Sequence, residues 1–197
     1  MSGCRFPASP KKSHLLAVKR ILRYLKGTTE YGFWYPTGNQ LDFYAFTDAD
    51  WAGCVDDRKS TSGASFFLGG CLVSWSSKKQ SSVSLSIAEA KYIAAANCST
   101  QVLWMKQMLE DIHIYYNAPI PIFYDNTRAI NISKNPDMHS KTKHIPIRFH
   151  FLREKIMSKV IKLEYVGTKD QIADIFTNPL PKMQFESLRD KLVVCPL

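Results

Sequence analysis

Near the start of the chain, Leu15, Val18, Leu22 and Leu25 recur three and four positions apart. That spacing puts them on one helix face and predicts a helix from Ser13, as N-cap, to Lys26, with Gly27 as the stop. Lys19, Arg20, Arg23 and Lys26 fall on the other face. Tyr31-Gly-Phe-Trp-Tyr35 then predicts a short strand, closed by Pro36, Gly38 and Asn39. From Leu41 the pattern changes. Phe43-Tyr-Ala-Phe-Thr47 is an aromatic-rich run suited to a buried strand. Gly63 to Leu68 and Cys71 to Trp75 are apolar runs joined by Gly69-Gly70, a hairpin signal. Ile87 to Ile112 is long, with an Ala-rich centre, and predicts a helix. Further along come a strand at Ile120–Tyr124, a short helix at Asn126–Ser133, a helix at Ile147–Met157 and a strand at Lys159–Val166. Short helices at Gln171–Phe176 and Met183–Leu192 finish the chain. The order predicts an α/β fold: a mixed sheet, antiparallel first and parallel later, flanked by helices. Residues 1–40 read as a helix-strand extension and 41–197 as the main domain.

Composition narrows the setting. In 197 residues, 45% are hydrophobic and 22% charged, a globular balance. No apolar run reaches the roughly 18 residues that a membrane span needs. The N-terminus lacks the layout of a secretory signal, so a cytoplasmic or nuclear setting is expected, not a secreted one. The five Cys are scattered and never in CxxC spacing, which argues against a disulfide framework or a Cys-rich zinc site. His139, His144 and His150 have no Cys nearby to complete a zinc set. Lys and Arg number 26 against 17 Asp and Glu, leaving +9 and suggesting a polyanionic partner.

Four acids fall where chemistry could use them. Asp48 ends the first buried strand and Asp125 the later one, and the carboxyl ends of neighbouring strands line the crevice of an α/β sheet. Glu89 lies in the first turn of the long helix, and Asp174 in the short helix after the last strand. Clustered carboxylates repel unless a cation neutralises them, and hard oxygen ligands suit Mg²⁺ or Mn²⁺. Each acid also has a structural explanation. Ser86-Ile-Ala-Glu89 fits a capping box. Asp48 and Asp125 follow strands, where Asp commonly starts turns. Asp174 suits the dipole of a first helical turn.

From Arg5 to about Leu192 the chain resembles the end of a copia-type retrotransposon polyprotein: its ribonuclease H domain, preceded by the connection to reverse transcriptase. The matching segments include Ser13 to Thr28, Asp48-Ala-Asp-Trp-Ala-Gly-Cys-Val-Asp-Asp-Arg-Lys-Ser-Thr-Ser-Gly63, Trp75-Ser-Ser-Lys-Lys-Gln80, Ala88-Glu-Ala-Lys-Tyr92, Asp125-Asn-Thr-Arg-Ala-Ile130 and Asp170-Gln-Ile-Ala-Asp-Ile-Phe-Thr177. The resemblance implies a ribonuclease H-like fold with a mixed five-stranded sheet. Residues 1–40 would be the remnant of the reverse transcriptase connection. It also implies two Mg²⁺ ions, for which Mn²⁺ substitutes, held by Asp48, Glu89, Asp125 and Asp174. The implied reaction is endonucleolytic hydrolysis of the RNA strand of an RNA–DNA hybrid, with the polymerase portion as partner and a virus-like particle or nucleus as setting. One departure stands out. The family usually has two glutamates around this helix start, and here the second is Lys91. Two residues from Glu89, it is expected to point away from it, although a nearby cation would weaken metal binding. His144 stands where a catalytic or a structural role are both open.

Nucleic-acid contacts are expected from Arg58, Lys59, Ser60 and Thr61, from Lys78, Lys79 and Gln80, and from Asn126, Lys143 and His144. Lys134, Lys141 and Arg148 extend the last cluster. Trp51 and Trp75 are expected in the core or the site wall, and Trp34 and Trp104 in packing. The competing reading is a catalytically silent module that binds nucleic acid or supports a polymerase, and Lys91 motivates it. An integrase-like enzyme is disfavoured by the acid order and by the lack of a His/Cys zinc segment.

Overall fold

The computed structural model describes residues 9–127 and 146–196. The elements begin with α1 (Lys12–Lys26), β1 (Tyr31–Phe33), β2 (Phe43–Ala49), β3 (Thr61–Leu68), β4 (Cys71–Lys79) and α2 (Ile87–Asp111). They continue with β5 (Ile120–Tyr124), α3 (Pro146–Met157), β6 (Ile161–Tyr165), 3₁₀ turns at Thr168–Asp170 and Ile172–Phe176, α4 (Lys182–Lys191) and β7 (Val194–Pro196). The chain forms two compact units. One runs to Trp34 and includes the residues from Val194 onward; the other is Tyr35–Val193. The predicted short helix at Asn126–Ser133 lies almost wholly outside the described residues.

In the smaller unit, β1 pairs antiparallel with β7, Tyr31 opposite Pro196. A three-residue strand whose partner lies at the far end of the chain leaves no local pattern, so the sequence does not announce β7. α1 begins at Lys12, one residue before the expected cap, and the Lys11 N–H donates to His14 Nδ1 at 3.1 Å.

The larger unit is built on a five-stranded sheet in the order β4-β3-β2-β5-β6. β2 and β3 pair antiparallel from Phe43↔Leu68 to Ala49↔Ser62. The β3–β4 hairpin turns on Gly69 and Gly70, whose φ values of 60° and 79° suit a glycine pair. β5 joins β2 in parallel and β6 joins β5 in parallel, as their crossover connections require. β6 starts later than expected because Lys159, with φ 56°, turns the chain out of α3. One sheet face packs on α2: Phe43, Ala45, Phe66 and Ile122 lie in one buried cluster with Ala95, Cys98 and Val102. The small side chains of α2 let its backbone approach the sheet. On the opposite face Tyr44 stacks on Phe67 at 5.1 Å between ring centroids, and Phe46 on Phe123 at 4.9 Å. Trp34 and Trp104, expected in packing, are both more than half exposed.

Gly63 in β3 is where the turn Ile172–Phe176 comes closest to the sheet. A Cβ there would lie 2.7 Å from Thr177 Cγ2 and 2.9 Å from the Ala173 carbonyl oxygen. The carbonyl cannot swing aside as a flexible side chain could. Gly63→Ala is therefore expected to destabilise the domain by about 1–3 kcal/mol in denaturant titrations, by overpacking. Among the described residues no helix is long and apolar enough to cross a membrane.

Candidate functional site

β2 and β5 set the centre of the site. Their parallel register pairs Phe46 with Phe123. Continued two residues, it brings Asp48 level with Asp125, on strands about 4.8 Å apart. Both carboxylates are sheltered, with side-chain exposures of 4% and 8%. The turn Ile172–Phe176 brings Asp174 beside them, close enough for the charges of Asp48 and Asp125 to act on it.

A cation already lies between the two strand acids, and it comes from α2. Lys91 Nζ is 3.0 Å from Asp48 Oδ1 and 2.5 Å from Asp125 Oδ1, and its side chain is only 14% exposed. The helix explains the placement. Lys91 is four, seven and eleven positions before the buried Ala95, Cys98 and Val102, so it heads the sheet-facing stripe. Glu89 is used differently. Its backbone N–H donates to Ser86 Oγ at 3.2 Å, and its Oε2 accepts from the Leu85 N–H at 2.7 Å, which satisfies the start of α2. Glu89 is thus placed as a helix cap, and Lys91 is the α2 side chain that meets the acids. It points toward Asp48 and Asp125.

The remaining carboxylate oxygens have protein donors too. Thr177 Oγ1 donates to Asp48 Oδ2 at 2.5 Å. Asn178 Nδ2 donates to Asp174 Oδ1 at 2.5 Å, and Gln184 Nε2 to Asp174 Oδ2 at 3.3 Å. Burial raises the Asp174 carboxyl above the usual Asp range; the Asn178 hydrogen bond opposes this, and the charges of Asp48 and Asp125 add to it. For Lys91, burial alone would lower the ammonium, but Asp48 and Asp125 outweigh it and raise it overall. A raised lysine contributes stability that is fully present below its ordinary value of 10.5 and is lost as pH rises through the higher folded value.

The residues do not fit a pair of divalent ions as they stand. Among the described residues no three His, Cys, Asp or Glu side chains are grouped to hold a metal. The ammonium of Lys91 takes the place between Asp48 and Asp125 that an ion would need.

The expected nucleic-acid contacts separate into two sets. Arg58 and Lys78 are exposed and Lys59 partly so. Asn126 and the exposed Trp51 line an open cleft beside Asp125, while the exposed Trp75 lines a polar cleft with Lys78, Asn97 and Thr100. Trp51 is anchored by its Nε1–H donating to the Ser84 carbonyl at 3.1 Å. Ser60, Gln80 and Lys79 are engaged within the protein. Ser60 is fully buried, its Oγ accepting from the Ala52 N–H at 3.1 Å. Gln80 is buried and saturated: Nε2 donates to Ser62 Oγ and the Ala90 carbonyl, both at 2.9 Å, and Oε1 accepts from Ser84 Oγ. Lys79 ties the Arg58 loop to β4 through Asp57 at 2.7 Å and Cys54 Sγ at 2.9 Å. Its hydrogen bond holds the Asp57 carboxyl down to about 2. Thr61 is half-buried, and its backbone N–H donates to Asp50. Lys134, Lys141, Lys143 and His144 lie outside the described residues.

Thr177, which holds Asp48, ends one of the segments that match the family, whereas Asn178 and Gln184, which hold Asp174, lie outside them. The stripe running from Lys91 through Ala95, Cys98 and Val102 is the available signal for Lys91.

Comparison with known proteins adds relatives to this geometry. The chain matches no family model. It is 42% identical over 190 residues to the retrovirus-related Pol polyprotein from transposon RE1 of Arabidopsis thaliana, covering 96% of this chain and 13% of the polyprotein. It is 38% identical over 186 residues to the corresponding polyprotein from transposon TNT 1-94 of Nicotiana tabacum, covering 94% of this chain and 14% of that one. The chain thus spans a small fraction of these relatives' length. Among solved structures, LC11-RNase H1 in complex with an RNA/DNA hybrid superposes with a TM-score of 0.51 at 13% identity, over 70% of this chain and 94% of the other. That likeness shows the fold.

Proposed function

The chain belongs to the retrovirus-related Pol polyproteins of copia-type retrotransposons, as their ribonuclease H region, and from that premise we propose that its domain Tyr35–Val193 holds an RNA–DNA hybrid. The observation that carries the reading is the meeting of Asp48, Asp125 and Asp174 beside the carboxyl ends of β2 and β5, neighbours in the five-stranded sheet. Exposed Arg58 and Lys78 would supply positive charge for the two backbones. A-form-like hybrids are recognised through phosphates and 2′-hydroxyls rather than base edges, so binding is expected to be salt-sensitive and indifferent to sequence. The polymerase portion of the same polyprotein is the proposed partner.

Hydrolysis of the RNA strand is the chemistry that the family resemblance implies. Bound Mg²⁺ or Mn²⁺ would supply the activated water and the charge stabilisation for it. The donor set of this chain does not fit those ions while Lys91 is seated. What these residues do is hold: Thr177 orients Asp48, Asn178 and Gln184 orient Asp174, and Lys91 pairs with Asp48 and Asp125.

The test is fluorescence anisotropy of a labelled RNA–DNA hybrid against duplex DNA of the same sequence, across a salt series. Binding should prefer the hybrid and weaken steeply with salt. The double variant Arg58→Ala/Lys78→Ala should flatten the logarithmic salt slope by about 1–2, one for each phosphate that is no longer neutralised. No hybrid binding, or an unchanged slope in the variant, would remove the reading.

A further inference from the structure

We propose that Lys91 is the resident cation of the Asp48–Asp125–Asp174 hollow, and that the domain excludes divalent metal and does not cleave the hybrid it holds. The proposal deepens the hybrid-binding reading and rests on it only for the word "hybrid".

Three observations carry it. The Lys91 ammonium sits within ion-pair distance of both strand acids, 3.0 Å from Asp48 and 2.5 Å from Asp125. Five carboxylate oxygens already have donors: both of Asp48, Oδ1 of Asp125 and both of Asp174. A metal there would have to displace protein hydrogen bonds as well as shed its own water, which Mg²⁺ does reluctantly. Lys91 is also fixed near the start of α2 with its stem buried, so its charge does not have to be captured from solution. A tethered group competes at an effective concentration set by its anchor, in the millimolar range even for flexible tethers. A divalent ion on the same oxygens would lie against a positive charge with little water between them.

The consequence is a hollow in which Lys91 offsets one of the two negative charges of Asp48 and Asp125 without any added ion, while Asp174 is held by neutral amide donors. Chelators should leave its fold and its hybrid binding untouched. The position that decides between retention and exclusion of metal is 91. Glu89, engaged with Leu85 and Ser86, does not decide it.

The experiment compares the whole chain with Lys91→Glu and Lys91→Gln in thermal melts, each with EDTA, Mg²⁺ or Mn²⁺, followed by cleavage of a labelled hybrid. The native chain should melt at the same temperature in all three and leave the hybrid intact. Lys91→Glu should melt several degrees higher with Mn²⁺ than with EDTA, or fold only with Mn²⁺. Lys91→Gln, which vacates the cation position without adding an acid, should gain a smaller Mn²⁺ shift and guards against a failure of Lys91→Glu to fold. A Mn²⁺ shift or metal-dependent cleavage by the native chain, abolished by Asp48→Asn, would overturn the proposal. So would the absence of any Mn²⁺ shift in both variants. The melts do not involve nucleic acid, so loss of hybrid binding alone would remove the reading above and leave this one standing.

Discussion

Lys91→Met is expected to destabilise the domain by roughly 3–5 kcal/mol at neutral pH, because removing one partner of a buried ion pair leaves the other charge uncompensated. Here two carboxylates would be stranded, Asp48 and Asp125, and both are almost wholly shielded from solvent. Against a typical total stability of about 5–15 kcal/mol, the loss is large enough to unfold a substantial fraction of the protein. Its pH dependence identifies the cause. Lys91 is raised above its ordinary value of 10.5 by Asp48 and Asp125, so the native advantage over Lys91→Met should be full at neutral pH and narrow as pH climbs through the raised value. A cavity or packing defect would show no such trend. Urea titrations of both proteins from neutral pH into the alkaline range provide the measurement.

Gln80→Leu should cost at least roughly 2 kcal/mol, a second large effect and one that separates structure from substrate contact. Its amide nitrogen serves Ser62 and the Ala90 carbonyl, and its oxygen serves Ser84. Leucine nearly matches its volume but leaves these buried groups without their partner, and each pays a desolvation penalty. Replacing the residue that links β4 to the start of α2 should therefore lower the melting temperature while the folded fraction keeps native hybrid affinity. If Gln80 gripped a phosphate instead, stability would stay level and the affinity would fall.

These two residues also mark the division between what the sequence reveals and what it conceals. The sheet is legible because its signals are local: the Gly69-Gly70 pair and the aromatic run Phe43–Thr47. Asp48 and Asp125 are legible as neighbours because strand ends in such a sheet converge. The environment of a polar side chain is not local. Gln80 and Ser60 sit in runs of Lys, Ser and Thr that resemble a phosphate-gripping surface, and only the packing of β3 against β4 and α2 buries them. Glu89 satisfies a capping pattern and an acid pattern equally well in the sequence; its hydrogen bonds to Ser86 and from Leu85 are those of a cap. For Lys91, the sequence distance to Glu89 says only where it does not point. Its helical distance to Ala95, Cys98 and Val102 is the better guide to what it faces. Asn178 and Gln184 are silent in the sequence because orienting an acid leaves no motif.

Whether an ammonium group or a metal occupies the space between Asp48 and Asp125 is read directly from crystals of the native protein grown in Mn²⁺ and measured at the manganese absorption edge. No anomalous peak is expected between the two carboxylates, and Lys91 Nζ should lie within hydrogen-bonding distance of both. A peak bridging Asp48 and Asp125, with the Lys91 side chain swung aside, would contradict this expectation.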